Sequence, residues 1–179
     1  MKVIEQEIAG VVLILPDVYQ DKRGAFRRNF CTSELAKIGI DFSVCQGNIS
    51  ENPRPFTMRG FHYQRAPSNE SKILTPVSGC LYNVVIDLRK DSDTYLKWLA
   101  LEVSAARRES LHVPAGCANA FLTMEENTVV QYYMGDHFRP ESYLGFRYND
   151  PSFNIPWPCE PKIISERDAS FPDFRLEPV

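Results

Sequence analysis

From Lys72 onward, short apolar runs recur at intervals of about one strand plus one turn: 72–77, 81–88, 95–103, 110–113, 118–124 and 128–134. The breaks between them are brief: Val77-Ser78-Gly79, residues 89–93, Pro114-Ala115-Gly116 and Glu125-Glu126-Asn127. Thirteen prolines and nine glycines punctuate the chain, a pattern of many strands and turns rather than a helix bundle. Regularly spaced strands without intervening helices predict an all-β double-sheet sandwich or jelly roll whose antiparallel neighbours each bury one face. The length of 179 residues suits one domain, taken as 1–179.

Ahead of this region, residues 11–15 read as a strand closed by Pro16-Asp17, Asp21-Lys22-Arg23-Gly24 as a turn, and 25–30 as extended. A short helix is predicted over 32–38, capped by Thr32 or Ser33 and ending near Gly39. The Pro-rich tail from Asp150 lacks periodicity, which predicts loops and one short helix near 165–168.

The formal charge is −3 and the basic residues cluster only as the pairs Arg27-Arg28 and Arg107-Arg108, so a nucleic-acid surface is disfavoured. No apolar stretch approaches 20 residues and no N-terminal signal pattern is present, which predicts a cytoplasmic protein. The five cysteines are odd in number and form no CxxC pair, arguing against a disulfide framework or a zinc ribbon.

The densest chemistry lies in Met58-Arg59-Gly60-Phe61-His62-Tyr63-Gln64, where a guanidinium, an imidazole and an amide can bind an anion and move a proton. In a strand, His62 and Gln64 share one face while Phe61 and Tyr63 take the other, and Arg59 joins His62 only if a bend at Gly60 re-aims it. The segment has no His-x-His pair, and His112 and His137 have no ligand-like spacing to it, so no metal site is expected.

Taken with Asp21-Lys22-Arg23-Gly24-Ala25-Phe26, Gln46-Gly47-Asn48-Ile49-Ser50, Asp87-Leu88-Arg89, Val113-Pro114-Ala115-Gly116, Tyr148-Asn149-Asp150-Pro151, Ile155-Pro156-Trp157-Pro158 and Ser165-Glu166-Arg167-Asp168, this segment resembles the dTDP-4-dehydrorhamnose 3,5-epimerase family. The resemblance covers nearly the whole chain. It implies a cupin jelly roll, or double-stranded β-helix, with short peripheral helices. The implied activity is inversion of carbon 3, carbon 5 or both in a nucleoside-diphosphate 4-keto-6-deoxyhexose, for deoxysugar and surface-polysaccharide synthesis. It further implies a homodimer whose N-terminal strands cross to the partner, and no metal or redox cofactor. His62 would be the base and Asp168 its carboxylate partner, with Lys72 at the developing oxyanion and Tyr132 as the opposite-face acid. Arg23, Arg59, Gln46 and Asn48 would contact diphosphate and sugar, and Phe26 would stack on the base.

Three positions depart from that family's pattern. Asn119 stands where a second histidine is usual, Phe138 where a tyrosine is usual, and Arg28 where a glutamate is usual near the base. Fewer polar contacts at Asn119 and Phe138 lead to an expectation of inversion at one centre, carbon 3. A guanidinium at Arg28 leads to an expectation that cytidine is accepted at least as well as thymidine, because it matches acceptors and leaves the thymine N3–H without one. Two other readings stay open from the residues: a non-catalytic cupin that binds nucleotide sugars, and a cupin ketoisomerase.

Overall fold

The structure, a computed structural model that describes residues 1–176, contains thirteen strands and two short helices. In chain order these are β1 (Lys2–Glu5), β2 (Val12–Leu15), β3 (Val18–Asp21), β4 (Gly24–Arg27), α1 (Thr32–Lys37), β5 (Gln46–Asn52), β6 (Met58–Gln64) and β7 (Lys72–Ser78). They continue as β8 (Cys80–Asp87), β9 (Trp98–Ser104), β10 (Ser110–Val113), β11 (Cys117–Thr123), β12 (Thr128–Met134), β13 (Tyr143–Gly145) and α2 (Glu166–Ser170). One sheet has the order β1-β2-β10-β7-β12-β5 and the other β13-β6-β11-β8-β9, all antiparallel, with β3 and β4 forming a separate hairpin. This is the expected jelly roll.

Between the sheets, Leu74, Val130, Leu111 and Val113 of one meet Leu81, Val85, Leu99, Val103 and Phe121 of the other. The sequence pattern suggested one buried face per strand, yet β11 is buried along its whole length. The chain after β13 supplies the difference: Phe146, Phe153, Trp157 and Phe174 pack with Phe61, Val84, Ile86 and Leu122 on the outer face of the five-stranded sheet. Aperiodic aromatics thus do the work of a covering layer, since ring area is removed from water whatever the local backbone does. On the other side Leu35, Ile40 and Phe42 cover Val12, Ile14 and Ile73.

Two local expectations are corrected. The cap of α1 is Cys31, not Thr32 or Ser33: its extended backbone (φ −159°, ψ 114°) lets its carbonyl accept from the Glu34 and Leu35 N–H groups, while its side chain makes no capping bond. Strand β9 begins at Trp98 rather than at residue 95, because Leu96 has φ 62° and the Lys97 N–H turns back to the Thr94 carbonyl.

The β6–β11 pairing carries the feature that shapes the site. His62 lies opposite Asn119 and Arg59 opposite Phe121, so three steps along β6 match two along β11, which is a bulge. Asn119 and Phe121 share a face, hence Arg59 and His62 do too. The bend is at Gly60, whose φ is +109° and where a Cβ would lie 2.5 Å from the Asn119 carbonyl oxygen and 2.7 Å from the Ala120 Cα. Gly60→Ala combines an unfavourable φ with a backbone clash, so we expect a loss of at least about 2 kcal/mol in urea unfolding at 25 °C. A variant as stable as the parent would show that the bulge relaxes freely.

Candidate active site

A cavity of about 430 Å³ opens between the two sheets. The six-stranded sheet contributes Gln46 and Asn48 from β5, Lys72 and Leu74 from β7, and Tyr132 and Met134 from β12. The five-stranded sheet contributes Arg59 and His62 from β6, Asn119 and Phe121 from β11, and Tyr143 from β13. Glu70 and Phe138 complete the lining, and Leu74 and Phe121 join its floor to the inter-sheet core.

His62 Nε2 lies 2.7 Å from Asp168 Oδ1, with side-chain exposures of 25% and 6%. A carboxylate acceptor at Nε2 keeps the proton there and leaves Nδ1 as the basic nitrogen. Asp168 is brought from the far end of the chain by α2. The Ser165 hydroxyl accepts from the Asp168 N–H at 3.0 Å, so Ser165 caps the helix and leaves the Asp168 carboxylate for the imidazole. The Gly60 N–H also donates to Asp168, at 3.2 Å. Burial pushes the Asp168 carboxyl up, but the bond and charge of His62 together with the Gly60 N–H outweigh it and hold the group below its usual value.

Lys72 donates to the His62 carbonyl at 3.3 Å and pairs with Glu70 at 3.1 Å, with side-chain exposures of 13% for Lys72 and 5% for Glu70. Glu70 in turn accepts from Gln64 at 2.6 Å. The same amide donates to the His137 carbonyl and accepts from the Arg139 N–H, so it also fixes the segment carrying Phe138. Gln46 accepts from the Phe138 N–H at 2.6 Å, and Arg59 Nε donates to the buried Asn52 at 2.9 Å, leaving its terminal nitrogens unassigned by that bond. Asn119 spends its amide N–H groups on Asn83 and Val84, at 3.1 and 3.0 Å.

The structure therefore brings together His62, Asp168, Lys72, Tyr132, Arg59, Gln46, Asn48, Asn119 and Phe138. It does not bring in Arg23, Phe26 or Arg28. Arg23 pairs with Asp21 in the β3–β4 hairpin with its side chain 84% exposed, and Phe26 is 66% exposed. Arg28 Nη1 donates to Glu34 at 2.6 Å, outside the cavity. Sequence reasoning missed Glu70 and Tyr143. Glu70 sits two residues before Lys72, a spacing that puts both on one face of extended chain; Tyr143 follows a turn and had no such signal.

The protein-family model for dTDP-4-dehydrorhamnose 3,5-epimerase matches residues 5–175. The chain belongs to the dTDP-4-dehydrorhamnose 3,5-epimerase family. That makes it an enzyme of the isomerase class, a nucleotide-sugar epimerase of deoxysugar biosynthesis. It is 33% identical to the dTDP-4-dehydrorhamnose 3,5-epimerase of Methanothermobacter thermautotrophicus over 98% of this chain and 96% of that one. The crystal structure of the Bacillus anthracis dTDP-4-dehydrorhamnose 3,5-epimerase with TDP and PPi bound superposes with a TM-score of 0.93 at 33% identity, covering 97% of this chain and 99% of that one. ChmJ, a 3'-monoepimerase from Streptomyces bikiniensis solved with dTDP-quinovose, superposes at 0.85 with 28% identity over 94% of this chain and 85% of that one.

The Asp168 environment has a pH consequence. Its carboxyl is held below the usual aspartate value of about 3.9 in the folded state, so its contribution to stability is complete above that value and disappears as pH falls through the lower, folded one. Urea midpoints of the parent and Asp168→Asn should differ most near neutral pH, and the gap should shrink as pH falls past the usual aspartate value. A gap that widens on acidification would contradict this sign.

Proposed function

We propose that this protein inverts carbon 3 of a nucleoside-diphosphate 4-keto-6-deoxyhexose, with His62 as base, Asp168 orienting it, Lys72 on the enolate oxygen and Tyr132 as the opposing acid. The observation that carries this reading is the 2.7 Å His62–Asp168 bond on one sheet of a cavity that Tyr132 lines from the other. His62 Nδ1 takes the proton from carbon 3, the C–H pair becomes the enolate π bond, and charge collects on the carbonyl oxygen beside Lys72. The ketone re-forms as Tyr132 delivers its proton to the opposite face. Solvent then removes the proton from His62 and restores the phenol. Abstraction and return from two facing sheets invert the centre, which a base alone cannot do.

Carbon 3 is favoured over carbon 5 by the apolar Phe138 and by an Asn119 whose donors are already engaged. The protein acts as a single-domain homodimer in the cytoplasm, in which the β3–β4 hairpin of each protomer reaches its partner's cavity with Arg23 and Phe26. The exposure of Tyr19 and Phe26 on that hairpin, and of Ile49 on the β5 edge of the larger sheet, supports such docking. Arg59 and the imported Arg23 would hold the diphosphate.

Incubation in deuterated water with dTDP-, CDP- and GDP-linked 4-keto-6-deoxyglucose, followed by reduction and NMR, tests the reading. Label should enter carbon 3 with inversion, and equal labelling of carbon 5 would overturn the single-centre proposal. His62→Asn should slow exchange by about 10²–10⁴-fold. A variant that keeps half the parent rate would exclude His62 as the base. Tyr132→Phe should depress inversion more than exchange, because abstraction needs no opposing acid; equal losses would remove Tyr132 from that role.

A further inference from the structure

Phe138 removes one phenol from the cavity, but the tertiary structure places another there. The β13–β6 register sets Tyr143 opposite Gln64 and Gly145 opposite His62, and paired residues project from the same face. Tyr143 therefore stands beside the imidazole, with ring centroids 5.3 Å apart. Phe138 meets the same ring edge-on at 5.3 Å, and the Arg167 guanidinium lies 4.3 Å above it. Gly145 leaves the space opposite His62 to Phe171, where a Cβ would lie 2.5 Å from that ring. Tyr143 is thus clamped by its neighbours while lining the cavity, and among the described residues none hydrogen-bonds its hydroxyl.

Burial raises the Tyr143 phenol; Arg167 pulls it down, and Asp168, Glu70 and Tyr132 push it further up, so it stays protonated throughout the neutral range. A fixed, neutral donor differs in kind from the groups already assigned. His62 accepts a proton, Lys72 brings charge, and Tyr132 faces from the other sheet. Because Tyr143 shares the sheet of His62, it cannot serve the opposite face of the sugar.

We propose that Tyr143 is a substrate-contacting, specificity-determining residue whose hydroxyl donates to an oxygen of the 4-keto hexose and holds the ring against His62. This rests on the epimerase reading above. The bond is made in the bound ground state as well as during enolisation, so its loss raises KM rather than lowering kcat.

The test is Tyr143→Phe, which keeps the ring between His62, Phe138 and Arg167 and deletes one oxygen. It is assayed by proton exchange on whichever dTDP-, CDP- or GDP-linked 4-keto-6-deoxyglucose the parent turns over. KM should rise about tenfold, with kcat within threefold and the thermal midpoint unchanged. Adding Phe138→Tyr to that variant should recover at least a third of the lost kcat/KM, because it returns a phenol to the same wall. A KM within threefold of the parent overturns the proposal, as does a loss confined to kcat, a loss matched by a fall in thermal midpoint, or a double variant no better than Tyr143→Phe. A parent that exchanges none of the three sugars overturns the epimerase reading itself, whereas an active parent with an unaffected Tyr143→Phe variant sinks this inference alone.

Discussion

The contact between His62 and Asp168 joins residues 106 positions apart and holds the site together. Asp168 is nearly inaccessible, and a carboxylate removed from water persists only where donors replace its hydration. Those donors are the imidazole and the Gly60 N–H, both on β6. The carboxylate can reach them only because the tail crosses the outer face of the five-stranded sheet and is anchored there by its aromatic rings. Packing of the tail and assembly of the dyad are therefore one event.

A second constraint is the separation of charges inside the cavity. The Lys72 ammonium is balanced by the buried Glu70 and sits near the imidazole's own backbone carbonyl, while the Asp168 carboxylate stays behind the ring. The cavity wall therefore holds a cation paired with one carboxylate, Glu70, while a second carboxylate, Asp168, lies against the imidazole. Gln64 ties the pair to the segment bearing Phe138, so the polar network and the apolar wall move together.

Much of this could be read from the residues alone. Strands β7, β8, β10, β11 and β12 lie within two residues of the runs that announced them, because alternation and turn chemistry are local. The pairing of face and residue in β6 was also legible, including the condition that Arg59 needs a bend at Gly60 to join His62. The cap of α1 was not, since Thr32, Ser33 and Cys31 differ in backbone angles that the side chains do not dictate. Arg23 and Phe26 matched a family pattern and Arg28 departed from it, yet within one chain all three lie on an exposed hairpin or beside Glu34; a motif records residue types, not which cavity they reach.

What the sequence by itself determined was the all-β architecture and the chemistry near His62, because both follow from short-range periodicity and from side chains close together along the chain. Only the tertiary structure decided which distant groups complete the site. The capture of Asp168 by His62, which only the family resemblance had implied, the Glu70 partner of Lys72 and the arrival of Tyr143 beside the imidazole depend on strand register, a one-residue bulge and the path of an aperiodic tail. These are set by long-range packing, which no local pattern encodes.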